Sequence, residues 1–110
     1  MHLCAQEYNT SIILGDDCML SNNIIIRTSD SHPIYNNLNE RINTAKSILV
    51  GKHVWICPHS TILKGTKIGD GAIIASNTVV TKNVLNNTLV AGLPAKMVKK
   101  DIYWSRERLF

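Results

Sequence analysis

Aromatic side chains are scarce: Trp, Tyr and Phe together make up 5% of the 110 residues. A core built from this chain must therefore be aliphatic, since too few large rings are available to fill it. Cysteine is also sparse. Cys4, Cys18 and Cys57 are odd in number and form no C-x-x-C pair, which argues against a disulfide framework and against a thiolate zinc site. No apolar run approaches the length of a membrane span, and no apolar leader region follows Met1. These absences predict a reduced, cytoplasmic protein with no membrane span. No basic stripe interleaved with aromatics is present, so no nucleic-acid partner is expected. A helical period is missing as well: apolar residues do not recur at three and four.

A different period is present. Aliphatic residues stand at Leu14, Leu20 and Ile26, and again at Val50, Ile56, Ile62, Ile68, Ile74 and Val80, each step within a set being six. Four residues after eight of these nine comes a small or β-branched one: Cys18, Ile24, Val54, Ser60, Thr66, Ala72, Thr78 and Val84. Gly follows the aliphatic residue at Gly15, Gly51 and Gly69. Short β-prone pieces cut every six residues by Gly, Asn, Asp or Lys describe strands separated by turns. A parallel β-helix of hexapeptide repeats accounts for both series, with three hexapeptides to a triangular coil and both marked positions facing inward.

The expected organisation is an all-β domain over residues 1–95, with residues 33–47 thrown out as an extended loop. Residues 96–110 form a C-terminal tail or cap, in which Asp101–Phe110 is expected to fold as a short helix. An Asn-rich, off-pattern loop inside a compact repeat is a place to look for function. The stack exposes a strand edge at each end, and no capping segment is evident before the first coil. With about three full coils, the chain is expected to need its oligomer for stability. The formal charge is +4, and Lys96, Lys99, Lys100, Arg106 and Arg108 crowd the C-terminal end. Such a cluster suits a solvated surface or a phosphorylated ligand.

The segment from Thr28 to Lys100 resembles the hexapeptide-repeat acetyltransferases, among them the galactoside, maltose and capsule or sialic acid O-acetyltransferases. The residues that carry the resemblance are Ser31-His32-Pro33, Ile48 to Ile56, Ile62 to Gly71, Val79 to Lys82 and Ala91 to Lys99. The resemblance implies a left-handed coil, a homotrimer with active sites between subunits, acetyl-CoA as donor, no metal, and a carbohydrate acceptor. Handedness is not readable from spacing, and the general preference for right-handed crossovers points the other way.

His32 matches the family's catalytic histidine. Its chemistry fits, because an alcohol must lose a proton to attack an acyl carbonyl and imidazole titrates in a suitable range. Asp30, two residues upstream, would share a strand face with His32 and orient its ring. The alternative for Asp30 is a turn residue. The resemblance assigns Trp55, Ser76, Thr81, Lys82, Lys96 and Lys99 to the CoA groove, with Lys96 and Lys99 meeting its phosphates. Trp55 is expected on the outer surface. Where the family has Gly after the Val-Trp-Ile segment, this chain has Cys57 followed by Pro58. The family's direct transfer leaves Cys57 no covalent role. Two other readings are a γ-class carbonic anhydrase-like zinc enzyme using His32, His53 and His59, and a non-catalytic β-helix assembly module. His53 and His59 occupy the same repeat position on successive faces, which points them apart rather than toward one metal.

Overall fold

The computed structural model describes residues 1–110 and contains strands, turns and bends but no helix. Strands β1 (His2–Cys4), β2 (Ile12–Leu14), β3 (Met19–Leu20) and β4 (Ile25–Arg27) precede the loop. After it come β5 (Ile48–Val50), β6 (Trp55–Ile56), β7 (Thr61–Ile62), β8 (Lys67–Ile68), β9 (Ile73–Ile74) and β10 (Val79–Val80). The longer β11 (Thr88–Gly92) and β12 (Ala95–Lys100) close the chain. They form three sheets, which are the faces of a prism measuring 55 × 23 × 21 Å. Face A has the order β1-β4-β7-β10, face B β2-β5-β8, and face C β12-β11-β9-β6-β3. All pairings but β11–β12 are parallel.

The register explains the sequence period. Leu49 pairs with Lys67, Trp55 with Ile73 and Thr61 with Val79, eighteen residues apart each time, so three hexapeptides make one coil. Ile26, Val50, Ile56, Ile62, Ile68, Ile74 and Val80 are all buried, and so are Ile24, Val54, Ser60, Thr66, Ala72, Thr78 and Val84. The buried hydroxyls stay hydrogen-bonded within the corners: Ser60 donates to Ala75 O, Thr66 to Leu63 O and Thr78 to Ser76 O. Most corners also place one residue in the left-handed region, three after the inward aliphatic one. That position is filled by Asp17, Asn23, His53, His59, Gly65, Gly71 and Asn77, with φ between 53° and 76°. Asn, Asp, His and Gly adopt this region most readily. Gly51 serves a different need: a Cβ there would lie 2.9 Å from Asp70 N, so the coils approach too closely at this corner for a side chain.

The extended loop preserves the register. Ile25 pairs with Thr61 thirty-six residues on, so the interruption adds the length of one further coil. Lys46 N–H donates to Thr28 O and closes the loop at its neck. Its interior is a small hairpin, with Tyr35 bridged to Arg41 and Asn36 Oδ1 accepting from the amides of Leu38 and Glu40.

The expected C-terminal helix does not form. β12 turns back antiparallel on β11 and lies at the edge of face C. Asp101 takes φ 56°, Ile102 N–H is given to Asn87 O, and Trp104 O accepts from His53 Nε2 at 2.9 Å. These tertiary bonds occupy groups that a helix would need for its own turns. No helix of the chain is long and apolar enough to cross a membrane.

Candidate functional site

Polar side chains gather first at the corner between faces A and B, where the loop departs. β4 ends at Arg27, and Ser31 adopts φ 72°, so Asp30 and His32 do not lie in one strand. The two-residue spacing therefore does not set them on a common face. The Asp30 carboxylate points to other partners: Oδ2 accepts from Lys64 Nζ at 2.6 Å and from Asn43 Nδ2 at 3.0 Å. The Lys64 ammonium, and then the Asn43 amide, hold this carboxyl below the usual carboxylate range. The His32 ring is exposed and has no hydrogen-bond partner within the chain, while its carbonyl accepts from Asn43 Nδ2 at 2.9 Å.

Asn43 is buried, 6% exposed, and uses both ends of its amide. Its Oδ1 accepts from Ile34 N–H at 2.8 Å and from Arg41 Nε at 3.2 Å. Arg41 also grips Glu7 with two bonds of 2.8 Å. The Arg41 guanidinium, helped by the Ser29 hydroxyl, lowers the Glu7 carboxyl to about 2. The register Ile26–Ile62–Val80 stacks Lys64 and Lys82 along this same corner, and Thr81 beside them.

A second group lies on face C. Trp55, half-buried on β6, sits in register between Met19 and Ile73. Trp104 covers part of it, with ring centroids 5.8 Å apart. Trp104 itself is stacked on His53 at 3.8 Å and 4°, and its Nε1 donates to His53 O at 2.8 Å. His53 Nδ1 meets Asp17 Oδ2 at 2.6 Å, and Arg106 pairs with the other Asp17 oxygen. The Trp104 carbonyl and then the Asp17 carboxylate raise the His53 pKa above its ordinary value. His53 Nδ1 and Nε2 are thus both committed to oxygen acceptors. Lys96 and Lys99 stand exposed on edge strand β12, and neither they nor Lys82 enter an ion pair. Ser76 is exposed at the corner between β9 and β10. Cys57 follows β6, and burial pushes its thiol up, away from the thiolate.

Comparison with known proteins agrees with the β-helical fold. The model described as "Bacterial transferase hexapeptide (six repeats)" matches residues 47–82, and "Hexapeptide repeat of succinyl-transferase" matches residues 7–27. The polysialic acid O-acetyltransferase of Escherichia coli O1:K1 is 39% identical over 97 residues, which are 87% of this chain and 32% of that protein. Among solved structures, the polysialic acid O-acetyltransferase OatWY superimposes with a TM-score of 0.91 at 42% identity, over 96% of this chain and 51% of the other. A galactoside acetyltransferase in complex with coenzyme A gives 0.73 at 25% identity, over 90% of this chain and 54% of the other. The chain belongs to the hexapeptide-repeat acetyltransferase family. It spans about a third to a half of the length of these relatives.

The coil is thus the left-handed parallel β-helix of that family. Within one chain the expected site residues divide. His32, Asp30, Thr81 and Lys82 share the corner between faces A and B, whereas Trp55, Lys96 and Lys99 belong to face C. Three residues that hold these groups were not expected from the sequence. Lys64 was detectable, because the eighteen-residue register sets it on the rung beside the loop. Asn43 lies in the off-pattern loop, where no periodicity marks it. Trp104 had no signal beyond being one of two tryptophans.

Proposed function

We propose that this chain is an acetyl-CoA-dependent O-acetyltransferase that acts on a hydroxyl of a sugar or polysaccharide, with His32 as general base and Asp30 in its electrostatic surroundings. The observation that carries this reading is the His32 ring: exposed, without a partner in the chain, at the end of a backbone fixed by the buried Asn43 amide. A free imidazole on a rigid support suits proton abstraction. His32 takes the hydroxyl proton, the oxygen attacks the acetyl carbonyl, and the imidazolium returns the proton to the departing CoA sulfur. The exposed, unpaired ammonium groups of Lys82, Lys96 and Lys99 fit the phosphates of acetyl-CoA, and the half-buried Trp55 offers an apolar wall beside them. Ser76 and Thr81, small and exposed, leave room for the pantetheine arm.

We also infer a homotrimer with its sites between subunits. In a triangular coil the corner between faces A and B points away from face C, so one ligand reaches His32 and Trp55 together only when two chains supply them. Polysialic acid, named as the substrate of the similar proteins, is the first acceptor to try.

The test is thiol release from acetyl-CoA in the presence of polysialic acid. Removing a general base costs about a hundred- to ten-thousandfold in rate, so His32→Ala should fall by that much. A His32→Ala chain with wild-type turnover refutes the reading.

A further inference from the structure

We infer that Asn43 is the positioning residue of the site, fixing the backbone that carries His32; the inference rests on the reading of His32 as general base. An amide side chain offers one oxygen acceptor and two N–H donors. Asn43 satisfies both ends across four separate groups. Its Nδ2 donates to His32 O at 2.9 Å and to Asp30 Oδ2 at 3.0 Å. Its Oδ1 accepts from Ile34 N–H at 2.8 Å and Arg41 Nε at 3.2 Å. His32 and Ile34 flank Pro33, so a single buried side chain clamps the backbone on both sides of the His-Pro step.

The clamp is itself held from two sides. Arg41 Nη2 donates to the Asn43 carbonyl at 3.2 Å and anchors to Glu7, while Asp30 is tied to Lys64. The loop leaves and returns through these contacts, and nothing else bonds to His32. Positional error of an ångström at a catalytic group costs on the order of a hundredfold in rate. A residue that restrains both neighbours of Pro33 therefore governs turnover without touching substrate.

Asn43→Asp separates this role from simple packing, because it keeps the size and the Oδ1 acceptor. It replaces the donor with an oxygen that faces Asp30 Oδ2 and His32 O. The charged groups around the new carboxyl are Asp30, Glu7, Lys64, Arg41 and Arg27, and the Asp30 carboxylate lies within hydrogen-bond distance. Protonation restores one donor. The expected result is a fall in kcat of about a hundredfold, with KM for acetyl-CoA unchanged and the ratio of variant to wild-type activity rising as pH falls. The Ile34 amide of the wild-type protein should also exchange slowly with solvent, a measurement that does not depend on the variant folding. Wild-type turnover in Asn43→Asp, a ratio independent of pH, or a fast Ile34 amide overturns the inference. If His32→Ala retains activity, the reading of His32 fails instead; if His32→Ala is inactive and Asn43→Asp is not, only the role of Asn43 fails.

Discussion

Trp104→Ala should detach the C-terminal segment from face C. The indole is 6% exposed and stacks on His53 at 3.8 Å, and its Nε1 donates to His53 O at 2.8 Å. The Arg106 guanidinium lies 5.2 Å from the ring centroid. Truncating a core tryptophan costs about 3–5 kcal/mol. Here the loss is capped, because once residues 101–110 lift from the coil no further contact is forfeited. The rest of the prism keeps its buried Ile and Val columns. A cost below that range, about 2–3 kcal/mol, follows from truncating a large side chain whose surroundings can lift away and relax. For a domain of this size it lowers the melting midpoint by roughly 10 °C. Thermal melting reads the midpoint. Amide exchange at Ile102, whose N–H is held by Asn87 O, reads the segment itself. An unchanged midpoint together with a slow Ile102 amide would show that Trp104 is not the anchor.

Two further outcomes follow from the same contacts and from the coil. A neutral imidazole carries one N–H, yet both His53 nitrogens face acceptors, Asp17 Oδ2 and Trp104 O, so the imidazolium is the form that satisfies both. Its folded pKa is raised above 6.5, so its stabilisation is fully present below that value and lost as pH rises through the folded pKa. Asp17 is depressed below 3.8, chiefly by the His53 bond, and its share is lost only as pH falls through that lower value. Protection of the Ile102 amide should therefore decline from mildly acidic to mildly alkaline pH, and a flat profile contradicts the doubly bonded imidazolium. Separately, Gly51→Ala would set a Cβ 2.9 Å from Asp70 N and 3.0 Å from Ile68 O, forcing adjacent coils apart. Overpacking of this kind costs about 1–3 kcal/mol; a denaturation midpoint equal to wild type would mean that the corner relaxes freely.

The fold is legible in Ile56, Ile62, Ile68 and Ile74, because an inward residue at every coil step leaves a period that no helix or simple hairpin shares. The companion series, with Thr66, Ala72, Thr78 and Val84, is equally legible, since only small or branched residues fit where two faces meet at a tight corner. His53 and His59 mark a repeat position in the sequence, whose meaning is conformational. The corner places both in the left-handed region, which accounts for them as turn residues, and the two stand at different corners of the coil. The tail misled because Asp101–Phe110 has no strong pattern, and bonds from Asn87 and His53 decided its path. The placement of Asp30 differs for a related reason: alternation along a strand does not reach it, because β4 has already ended at Arg27. Asn43 had no sequence signal at all, since its meaning lies in four partners that meet only after the loop closes.

The placement of the loop links these levels. An insertion that keeps the register of every later coil must leave and re-enter at one corner, and Thr28 O and Lys46 N–H mark that neck. Closing a loop of this length carries an entropic cost that grows only slowly with its size, and the interior hairpin and the Glu7–Arg41 pair offset part of it. The repeat is thus free to extrude chain at a corner while its core columns continue unbroken from Ile26 to Ile62. What distinguishes this corner from the others is that its extruded chain brings back a buried amide. A hexapeptide prism without the loop would have inward aliphatics, corner residues and outward lysines, but no rigid backbone on which an unpartnered imidazole could stand.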